Sequence, residues 1–359
     1  MAHLNLQNTI MKVGILGLGT VGGGVVNVLQ KNSESIERRT GVKIEVVLAG
    51  VRDVKQKRIC DTSTIKLTID PFEVVNHPDV DVVLELIGGI GLTKELVETA
   101  INNGKHVITA NKALIANHGN ELIKLANKKQ VRLLFEASVA GGIPIIKSLE
   151  QGLSANNIES LAGIINGTAN FILTDMKEKG RDFDDVLKEA QALGYAEEDP
   201  TFDIEGIDAA HKLSILAAIA FGTELQFDKV STKGISDITT EDIIHASELG
   251  YTIKHLGIAK RSGDGIELRV HPTLVPNKQL IAQVDGVMNA VMVKSDALGT
   301  SLYYGAGAGD EATASAVIAD LNDIINNQTS NHILGWKSQQ KLPVIKSDDI
   351  HSEFFLRLL

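Results

Sequence analysis

The sequence Lys12-Val-Gly-Ile-Leu-Gly-Leu-Gly-Thr-Val-Gly22 joins a short β-type run to a cluster of closely spaced glycines. The apolar residues that follow at once are Val25, Val26, Val28 and Leu29. A strand, a G-x-G-x-x-G turn and a helix in this order form the context in which βαβ units bind dinucleotides. The stretch therefore predicts a dinucleotide site at the start of a parallel sheet; the alternative is a merely tight strand-to-helix turn.

Each glycine of this turn has its own expected task. Gly17 permits a tight turn, Gly19 lets the backbone approach a pyrophosphate, and Gly22 allows the helix to pack closely on the strand. Free N–H groups at the start of the helix would bind the phosphates. The predicted cofactor-binding residues of the turn are Gly17, Leu18, Gly19, Thr20, Val21 and Gly22.

The residues after the second predicted strand, 43–49, bear on which dinucleotide binds. NAD-specific enzymes usually place an acid there to hold the ribose 2′-hydroxyl. In this chain Arg52 and Lys57 are suited to a 2′-phosphate, which favours NADP, whereas Asp53 is evidence for NAD. NADP is therefore the expected cofactor, with NAD as a second candidate. The alternative is that these charged residues form a solvated loop that does not contact the cofactor.

Strand-like and helix-like segments alternate through residues 11–144, which predicts a Rossmann-type doubly wound parallel sheet. The further predicted strands are 79–87, 106–109 and 131–136, with a helix at 93–103. Ligands of such sheets lie beyond the carboxyl ends of the strands. Gly88 and Gly89, Lys112, and the stretch 136–142 all fall there, so Lys112 is a candidate neighbour of the nicotinamide. A surface lysine at a helix start is the alternative.

Beyond Pro144 the pattern changes to grouped helices and grouped strands, which predicts an α+β substrate and dimerisation domain over residues 145–304. A second glycine-rich turn begins at Tyr304 and precedes a predicted helix at 313–325. This late turn suggests that the chain returns to the nucleotide-binding domain over residues 305–345.

An acidic loop and an Ala-rich helix adjoin each other between Gly194 and Lys212. Asp208 and Lys212 are four residues apart, so they share one face near the helix N-terminus. A lysine near the positive end of the helix dipole, with carboxylates beside it, can be tuned for proton transfer. The alternative is an ordinary surface ion pair. His211, next to Lys212, is a candidate proton relay, but adjacent residues face different ways on a helix, so it is interpreted as a packing or hydrogen-bonding residue.

Composition excludes several classes of function. The net charge of −10 disfavours nucleic acid and anionic membranes as partners. No apolar run approaches the roughly 20 residues of a membrane span. The single cysteine, Cys60, cannot form an internal disulfide and fits the reducing cytoplasm. The sequence contains no H-E-x-x-H, no paired cysteines and no Walker loop, and Cys60 lacks the setting of a thiolate nucleophile.

Taken together, the motifs resemble the homoserine dehydrogenase family over roughly residues 12–325. The stretches that carry the resemblance are Thr109-Ala-Asn-Lys-Ala113, Glu136-Ala-Ser-Val-Ala-Gly-Gly-Ile-Pro144, Ile165-Asn-Gly-Thr-Ala-Asn-Phe-Ile-Leu173, Leu193-Gly-Tyr-Ala-Glu-Glu-Asp-Pro200, Asp203 through Lys212, and Gly305-Ala-Gly-Ala-Gly-Asp310. The resemblance implies reversible NAD(P)-dependent interconversion of L-homoserine and L-aspartate 4-semialdehyde, on the route to threonine, isoleucine and methionine.

Residue roles follow from the same resemblance. Lys212 matches the lysine usually assigned as proton donor, Lys112 matches a second acid/base candidate near the nicotinamide, and Asp208 belongs with them. The implied substrate-binding residues are Glu197, Asp208, Thr168 and Tyr195, with Glu197 suited to the substrate ammonium. The implied additional cofactor contacts are Gly89, Gly194 and Gly309.

The resemblance also implies a monovalent cation, Na⁺ or K⁺, at Glu136, Val139, Gly141 and Ile143, where backbone carbonyls would supply three of the four ligands. A homodimer or homotetramer through the second domain is expected by the same analogy. The chain departs from the family pattern at Asp310-Glu-Ala312, where a proline often precedes Thr313. The stretch 346–359 resembles the lead-in to a regulatory ACT domain.

Two other functions are compatible with the sequence. One is a Rossmann oxidoreductase acting on a different amino acid or semialdehyde, which substrate screening would reveal. The other is a dinucleotide sensor that binds cofactor without turnover. The combination of Glu197, Asp208 and Lys212 favours homoserine as substrate and disfavours a pure sensor.

Overall fold

The computed structural model describes residues 10–326 and 340–353. They form two six-stranded sheets, with strand orders β3-β2-β1-β4-β5-β6 and β12-β11-β7-β9-β10-β8. Both the doubly wound parallel sheet and the α+β second domain predicted from the sequence are therefore confirmed. Within these residues no helix is both long enough and apolar enough to cross a bilayer.

The first sheet is parallel throughout. Its elements are β1 (Ile10–Leu16), α1 (Thr20–Lys31), α2 (Ser33–Thr40), β2 (Lys43–Gly50), β3 (Lys66–Thr68), α3 (Pro71–Asn76), β4 (Val82–Glu85), α4 (Gly91–Asn102), β5 (His106–Thr109), α5 (Lys112–Lys129) and β6 (Leu133–Leu134). The strand order reverses between β1 and β4, so this is where a ligand crevice is expected.

The second sheet is antiparallel except where β8 pairs with β10. Its elements are α6 (Ile145–Lys147), β7 (Ile158–Ile164), α7 (Gly167–Lys179), α8 (Phe183–Ala192), α9 (Thr201–Ile204), α10 (Ile207–Phe221), β8 (Ser231–Thr232), α11 (Thr240–Glu248), β9 (Tyr251–Ser262), β10 (Gly265–Pro276), β11 (Met288–Ser295) and β12 (Gly299–Ala306). Helix α10 is buried along nearly its whole length, as expected for a helix with apolar residues on all sides.

After β12 the chain returns to the first domain through α12 (Asp310–Asn326). Val317 and Leu321 of α12 share a buried core with Val25 and Val26 of α1. A side chain at Gly24 would lie 2.6 Å from the carbonyl oxygen of Asp310, so this contact between α1 and the start of α12 requires glycine. The predicted return is confirmed for this helix.

Several predicted boundaries need correction. The strand predicted at 131–136 is only the two residues of β6, because the chain turns into a 3₁₀ helix at Glu136–Ser138. The late glycine-rich turn was expected to begin at Tyr304, but β12 continues to Ala306. The acidic loop before α10 contains the short helix α9.

The last part of the predicted return does not lie on the first domain. Residues 340–345 pair with β10 instead: Ile266 N–H donates to Pro343 O at 2.9 Å, and Ile345 N–H donates to Ile266 O at 2.9 Å. Residues 347–349 form a 3₁₀ turn, and residues 354–359 of the predicted lead-in lie outside the described residues.

Candidate active site

The glycine-rich turn between β1 and α1 has the shape expected for a phosphate cradle. Gly17 has a φ of +95°, which favours glycine, and a side chain at Gly22 would lie 2.0 Å from Gly17 O. A side chain at Gly19 would meet nothing within 4 Å, so the backbone there borders open space. Gly19 also starts α1 without a side-chain cap, which leaves the first N–H groups of the helix available to an anion. The turn therefore fits the pyrophosphate of a dinucleotide.

The loop after β2 presents Arg52, Asp53 and Lys57 at the surface. The Asp53 carboxylate accepts a hydrogen bond from Lys55 N–H at 2.8 Å, so one of its oxygens already has a local donor. Arg58, which the sequence reasoning did not select, donates to Leu18 O at 3.4 Å and to Asp53 O. Arg58 thus ties this loop to the glycine-rich turn.

A buried carboxylate fixes the next loop of the parallel sheet. Glu85, at the end of β4, accepts hydrogen bonds from Ile87 N–H at 3.0 Å and Gly88 N–H at 3.1 Å. Its second oxygen accepts from Thr109 Oγ1 at 2.5 Å. Burial raises the pKa of Glu85, against these donors. The arrangement holds the Gly88–Gly89 turn, where sequence placed a cofactor contact.

Asn111 connects that turn to the first candidate lysine. Its Nδ2 donates to Gly89 O at 2.6 Å, while its Oδ1 accepts from Leu114 N–H at 3.0 Å and caps the start of α5. Lys112 is the first residue of α5. Its backbone is therefore fixed at the carboxyl edge of the parallel sheet, as the sequence predicted.

Asp208 brings both candidate lysines together. Its Oδ2 lies 2.7 Å from Lys212 Nζ, and its Oδ1 lies 3.2 Å from Lys112 Nζ. Lys212 Nζ also donates to Ile165 O at 2.7 Å. Burial alone would raise the pKa of Asp208, but the charges of Lys212 and Lys112 outweigh it and lower the pKa to about 2. Asp208 is thus an ionised carboxylate that joins α5 of the first domain to α10 of the second.

Two residues that sequence reasoning did not single out, Asn166 and Asp203, complete this cluster. Asn166 Nδ2 donates to Asp208 Oδ2 at 2.9 Å and to Asp203 Oδ1 at 2.7 Å. Thr168 Oγ1 donates to Tyr195 O at 2.6 Å and lies 3.3 Å from Asp203 Oδ2. Burial raises the pKa of Asp203 despite the donor from Asn166. Asn166 could have been selected from the sequence as a helix N-cap, because asparagine is favoured there and its Oδ1 accepts from Ala169 N–H at the start of α7.

The remaining predicted site residues lie on the surrounding loops. Glu197 is exposed in the segment between α8 and α9, where its backbone oxygen accepts from Gln191 Nε2 at 3.1 Å. Gly194 and Gly309 both have positive φ, +76° and +121°. Tyr195 is exposed and packs edge-on against Phe171. The structure brings Thr168 and the Tyr195 carbonyl to the Asp208 cluster, while the roles of Glu197, Gly194 and Gly309 stay predictions.

The loop that is predicted to bind a cation is buried, with Glu136, Val139 and Ile143 all nearly inaccessible to solvent. Glu136 accepts hydrogen bonds from Ile146 N–H at 2.9 Å and Lys147 N–H at 2.8 Å. Burial and the neighbouring Asp320 raise the pKa of Glu136 to about 7. A side chain at Gly141 would lie 2.5 Å from the carbonyl of Gly307, so the loop packs directly on the strand end that returns toward α12.

The donor set of this loop fits a hard monovalent ion. The family resemblance assigns the backbone carbonyls of Val139, Gly141 and Ile143 to such an ion; of these, Ile143 O already accepts a hydrogen bond from Ile145 N–H at 2.7 Å. The buried Glu136 carboxylate is short of positive charge, and oxygen ligands suit Na⁺ or K⁺. Within residues 10–326 and 340–353, no group of three or more His, Cys, Asp or Glu side chains could hold a metal. A site here would therefore depend on backbone oxygens.

These arrangements define a class of protein. A dinucleotide cradle at the carboxyl edge of a parallel sheet, beside two ammonium groups that share a carboxylate, meets the needs of hydride transfer at a carbonyl or alcohol. The chain is an NAD(P)-dependent oxidoreductase.

Comparison with known proteins identifies the family. The family model for homoserine dehydrogenase matches residues 144–322, and that for the homoserine dehydrogenase NAD-binding domain matches residues 17–136. A homoserine dehydrogenase of Pseudomonas aeruginosa is 63% identical over 321 residues, which cover 89% of this chain and 74% of the relative. The chain belongs to the homoserine dehydrogenase family.

Solved structures agree. A homoserine dehydrogenase from Thiobacillus denitrificans superposes with a TM-score of 0.93 at 56% identity, covering 96% of this chain and 81% of that one. A hyperthermophilic archaeal homoserine dehydrogenase in complex with NADPH superposes with a TM-score of 0.74 at 25% identity, covering 90% and 99%.

Proposed function

We propose that Lys212 and Lys112, held by Asp208, form the proton-transfer unit with which this enzyme interconverts L-homoserine and L-aspartate 4-semialdehyde. The observation that supports this proposal is the sharing of one ionised carboxylate by two lysines from different domains. Both ammonium groups are thereby directed to the place where the two domains meet.

The hydrogen bonds of Lys212 support Lys212, in preference to Lys112, as the residue that gives its proton to the substrate. An ammonium group has three N–H donors. Those of Lys212 reach Asp208 Oδ2 and Ile165 O, which leaves one for a substrate oxygen. In the direction of semialdehyde reduction, Lys212 Nζ gives its proton to the oxygen that becomes the hydroxyl; in the reverse direction it takes that proton back. Lys112 stabilises the negative charge that develops on the same oxygen.

The nicotinamide supplies or accepts the hydride when it is bound. Residues of the glycine-rich turn would hold its pyrophosphate, and Arg52 and Lys57 would favour the 2′-phosphate of NADP. Arg58 orients their loop against the turn. The NADPH complex of the archaeal relative supports a nicotinamide cofactor for this chain.

Substrate binding is proposed for the acids around Asp208. Asp203, held by Asn166 and Thr168, and the exposed Glu197 would bind the substrate ammonium. Tyr195 contributes through its carbonyl, which fixes Thr168. Each residue thereby orients the amino acid so that its reacting oxygen faces the lysines.

Three further properties complete the proposal. A monovalent cation, Na⁺ or K⁺, would bind Glu136 and the carbonyls of Val139, Gly141 and Ile143.

A homodimer or homotetramer would form through the second domain. This is supported by the position of β12 at the sheet edge and by the exposed side chains of Leu298 and Tyr304, at 59% and 57%. The single Cys60 supports a cytoplasmic location.

The test is the absorbance of reduced nicotinamide with L-homoserine, using NADP⁺ and NAD⁺ separately at alkaline pH. The expected result is growth of the band with homoserine and none with threonine or serine, faster with NADP⁺. If a folded, NADPH-binding protein gives no growth with either cofactor, the proposed substrate is wrong. Equal rates with NAD⁺ would remove Arg52 and Lys57 from cofactor selection.

A further inference from the structure

A phenylalanine faces the amine of Lys112 from outside the carboxylate cluster. Phe202 lies on the short helix α9, in the otherwise acidic loop before α10, and is 40% exposed. The centroid of its ring lies 5.7 Å from Lys112 Nζ. That distance is within the range over which an aromatic face attracts an ammonium group.

The ring of Phe202 belongs to an aromatic column. Its centroid lies 5.5 Å from that of His211, at an interplanar angle of 37°. His211 in turn stacks on Phe227, with centroids 4.0 Å apart and an angle of 29°. Because His211 is buried within α10, the column anchors the otherwise exposed Phe202 to the helix that carries Asp208 and Lys212.

The central ring of the column carries no charge at neutral pH. Burial lowers the pKa of His211 to about 4. Asn117 Nδ2 lies 3.4 Å from His211 Nε2, which fits a neutral ring that accepts there, and Asn117 belongs to α5, as Lys112 does. A neutral imidazole packs against Phe202 without adding a positive charge next to Lys112.

Lys112 needs such support more than Lys212 does. The Lys112 side chain is 34% exposed, against 12% for Lys212. Lys212 is held by a carboxylate and a carbonyl, whereas Lys112 is held by Asp208 on one side and faces the Phe202 ring on another. A long, half-exposed lysine has several rotamers of similar energy, so a second attractive surface reduces their number.

We propose that Phe202 is a positioning residue that holds the Lys112 ammonium against Asp208 through its aromatic face, backed by the Phe202–His211–Phe227 column. This inference rests on the proposed role of Lys112 in the reaction. The loop before α10 would then contribute an aromatic residue that positions Lys112, in addition to its acidic residues.

The test compares substitutions at position 202 that keep or remove the aromatic face. Phe202→Tyr and Phe202→Trp keep it, while Phe202→Leu keeps apolar packing without it. Because a cation–π contact at a partly exposed site is weak, Phe202→Leu should lower kcat by about 3- to 10-fold. KM for NADP⁺ should stay within twofold, and the aromatic variants should stay within twofold of the wild type in kcat. Equal kcat values for the leucine and tyrosine variants would overturn the inference.

A double-mutant comparison separates this inference from the proposed function on which it rests. In a Lys112→Met background, Phe202→Leu should cause no further loss of kcat; a loss as large as in the wild-type background would show that Phe202 acts elsewhere. If Lys112→Met itself leaves kcat unchanged, the proposed role of Lys112 is wrong and the inference falls with it. If Lys112→Met lowers kcat but Phe202→Leu does not, the inference alone is wrong. Thermal unfolding and NADPH binding show that each variant is folded.

Discussion

Asp208 and Glu136 are carboxylates buried to nearly the same extent, with 4% and 1% of their surface exposed, yet their environments favour opposite charge states. For Asp208, two lysines outweigh burial, and the pKa falls to about 2. For Glu136, burial and the nearby Asp320 outweigh its backbone donors and Lys147, and the pKa rises to about 7. Depth of burial alone therefore does not set the charge of an acid in this protein; the number of positive partners does.

The position of Lys147 explains the shortage of positive charge at Glu136. Its Nζ lies 2.8 Å from Asp320 Oδ1 and also pairs with Asp323. The Glu136 carboxylate accepts hydrogen bonds from two backbone N–H groups at the start of α6. The Asp208 site thus has its positive charges built in as lysines, whereas the Glu136 site lacks one, which the proposed Na⁺ or K⁺ would supply.

Of the changes that test the difference between the two sites, removing Lys212 from the Asp208 site should have the largest effect, which is on kcat. Lys212→Met should lower kcat by about 10²- to 10⁴-fold, the range of general acid–base catalysis, because the group that gives and takes the proton is lost. The measurement is homoserine-dependent formation of reduced nicotinamide. NADPH affinity serves as the control and should be unchanged. A kcat within threefold of the wild type would exclude Lys212 as the acid.

Neutralising the shared carboxylate tests whether Asp208 holds the lysines together. Asp208→Asn keeps the shape but removes the carboxylate that the two neighbouring ammonium groups share. Breaking a buried pair in this way should lower the free energy of unfolding by about 3 kcal/mol at pH 7. Urea denaturation measures this change. Because the folded-state pKa of Asp208 is lowered, its stabilising effect is present above about pH 4 and is lost as the pH falls toward 2. An unchanged unfolding free energy at pH 7 would contradict this account of the site.

Adding a monovalent cation that binds at Glu136 should raise the free energy of unfolding, by less than the loss of Asp208 lowers it. Saturating NaCl or KCl should raise the unfolding free energy by roughly 1–3 kcal/mol over tetramethylammonium chloride at equal ionic strength. The pKa of Glu136 is raised, so its ionised form costs stability as the pH rises through about 7, and the benefit of the cation should be larger at pH 8 than at pH 6. Glu136→Gln should abolish the difference between the salts. Equal melting temperatures in all salts for the wild type would remove the cation from this site.

The smallest expected effect is that of His211 on the pH dependence of the unfolding free energy below pH 6.5. Burial lowers the pKa of His211 to about 4, so the unfolded chain binds a proton there between pH 6.5 and 4 that the folded chain does not. Stability must then fall as the pH drops through this range. His211→Phe keeps a stacked ring without the titrating group and should reduce the pH slope of the unfolding free energy by up to one proton. A slope equal to that of the wild type would show that folding does not lower the pKa of His211.

The sequence predicted the parts of these sites that depend on local spacing. The glycine-rich turn, the position of Lys112 after β5, and the pairing of Asp208 with Lys212 four residues later all follow from strand ends and helical periodicity. The predicted packing role of His211 is matched by its stacking on Phe227 and its tilted contact with Phe202.

The parts that could not be predicted depend on contacts between distant segments. Neither the meeting of Lys112 with Asp208, 3.2 Å apart, nor the link of Asn166 to Asp203 has a signature in residue spacing. The strand expected at 131–136 is short because Glu136 turns inward to cap α6, a tertiary contact that overrides β propensity. The last three residues of β12 were predicted as a turn because a run of alternating glycines begins at Gly305.

The central claim is that Lys112 and Lys212 act as one unit through Asp208, and a double mutant tests it most directly. Rates of hydride transfer would be measured in single turnovers for Lys112→Met, Lys212→Met and the double variant, each saturated with NADP⁺ and homoserine. Residues that act as a unit have strongly non-additive effects. The account predicts that the double variant is slowed little more than Lys212→Met alone. A slowing equal to the product of the two single effects would show that the lysines act independently and would contradict the account.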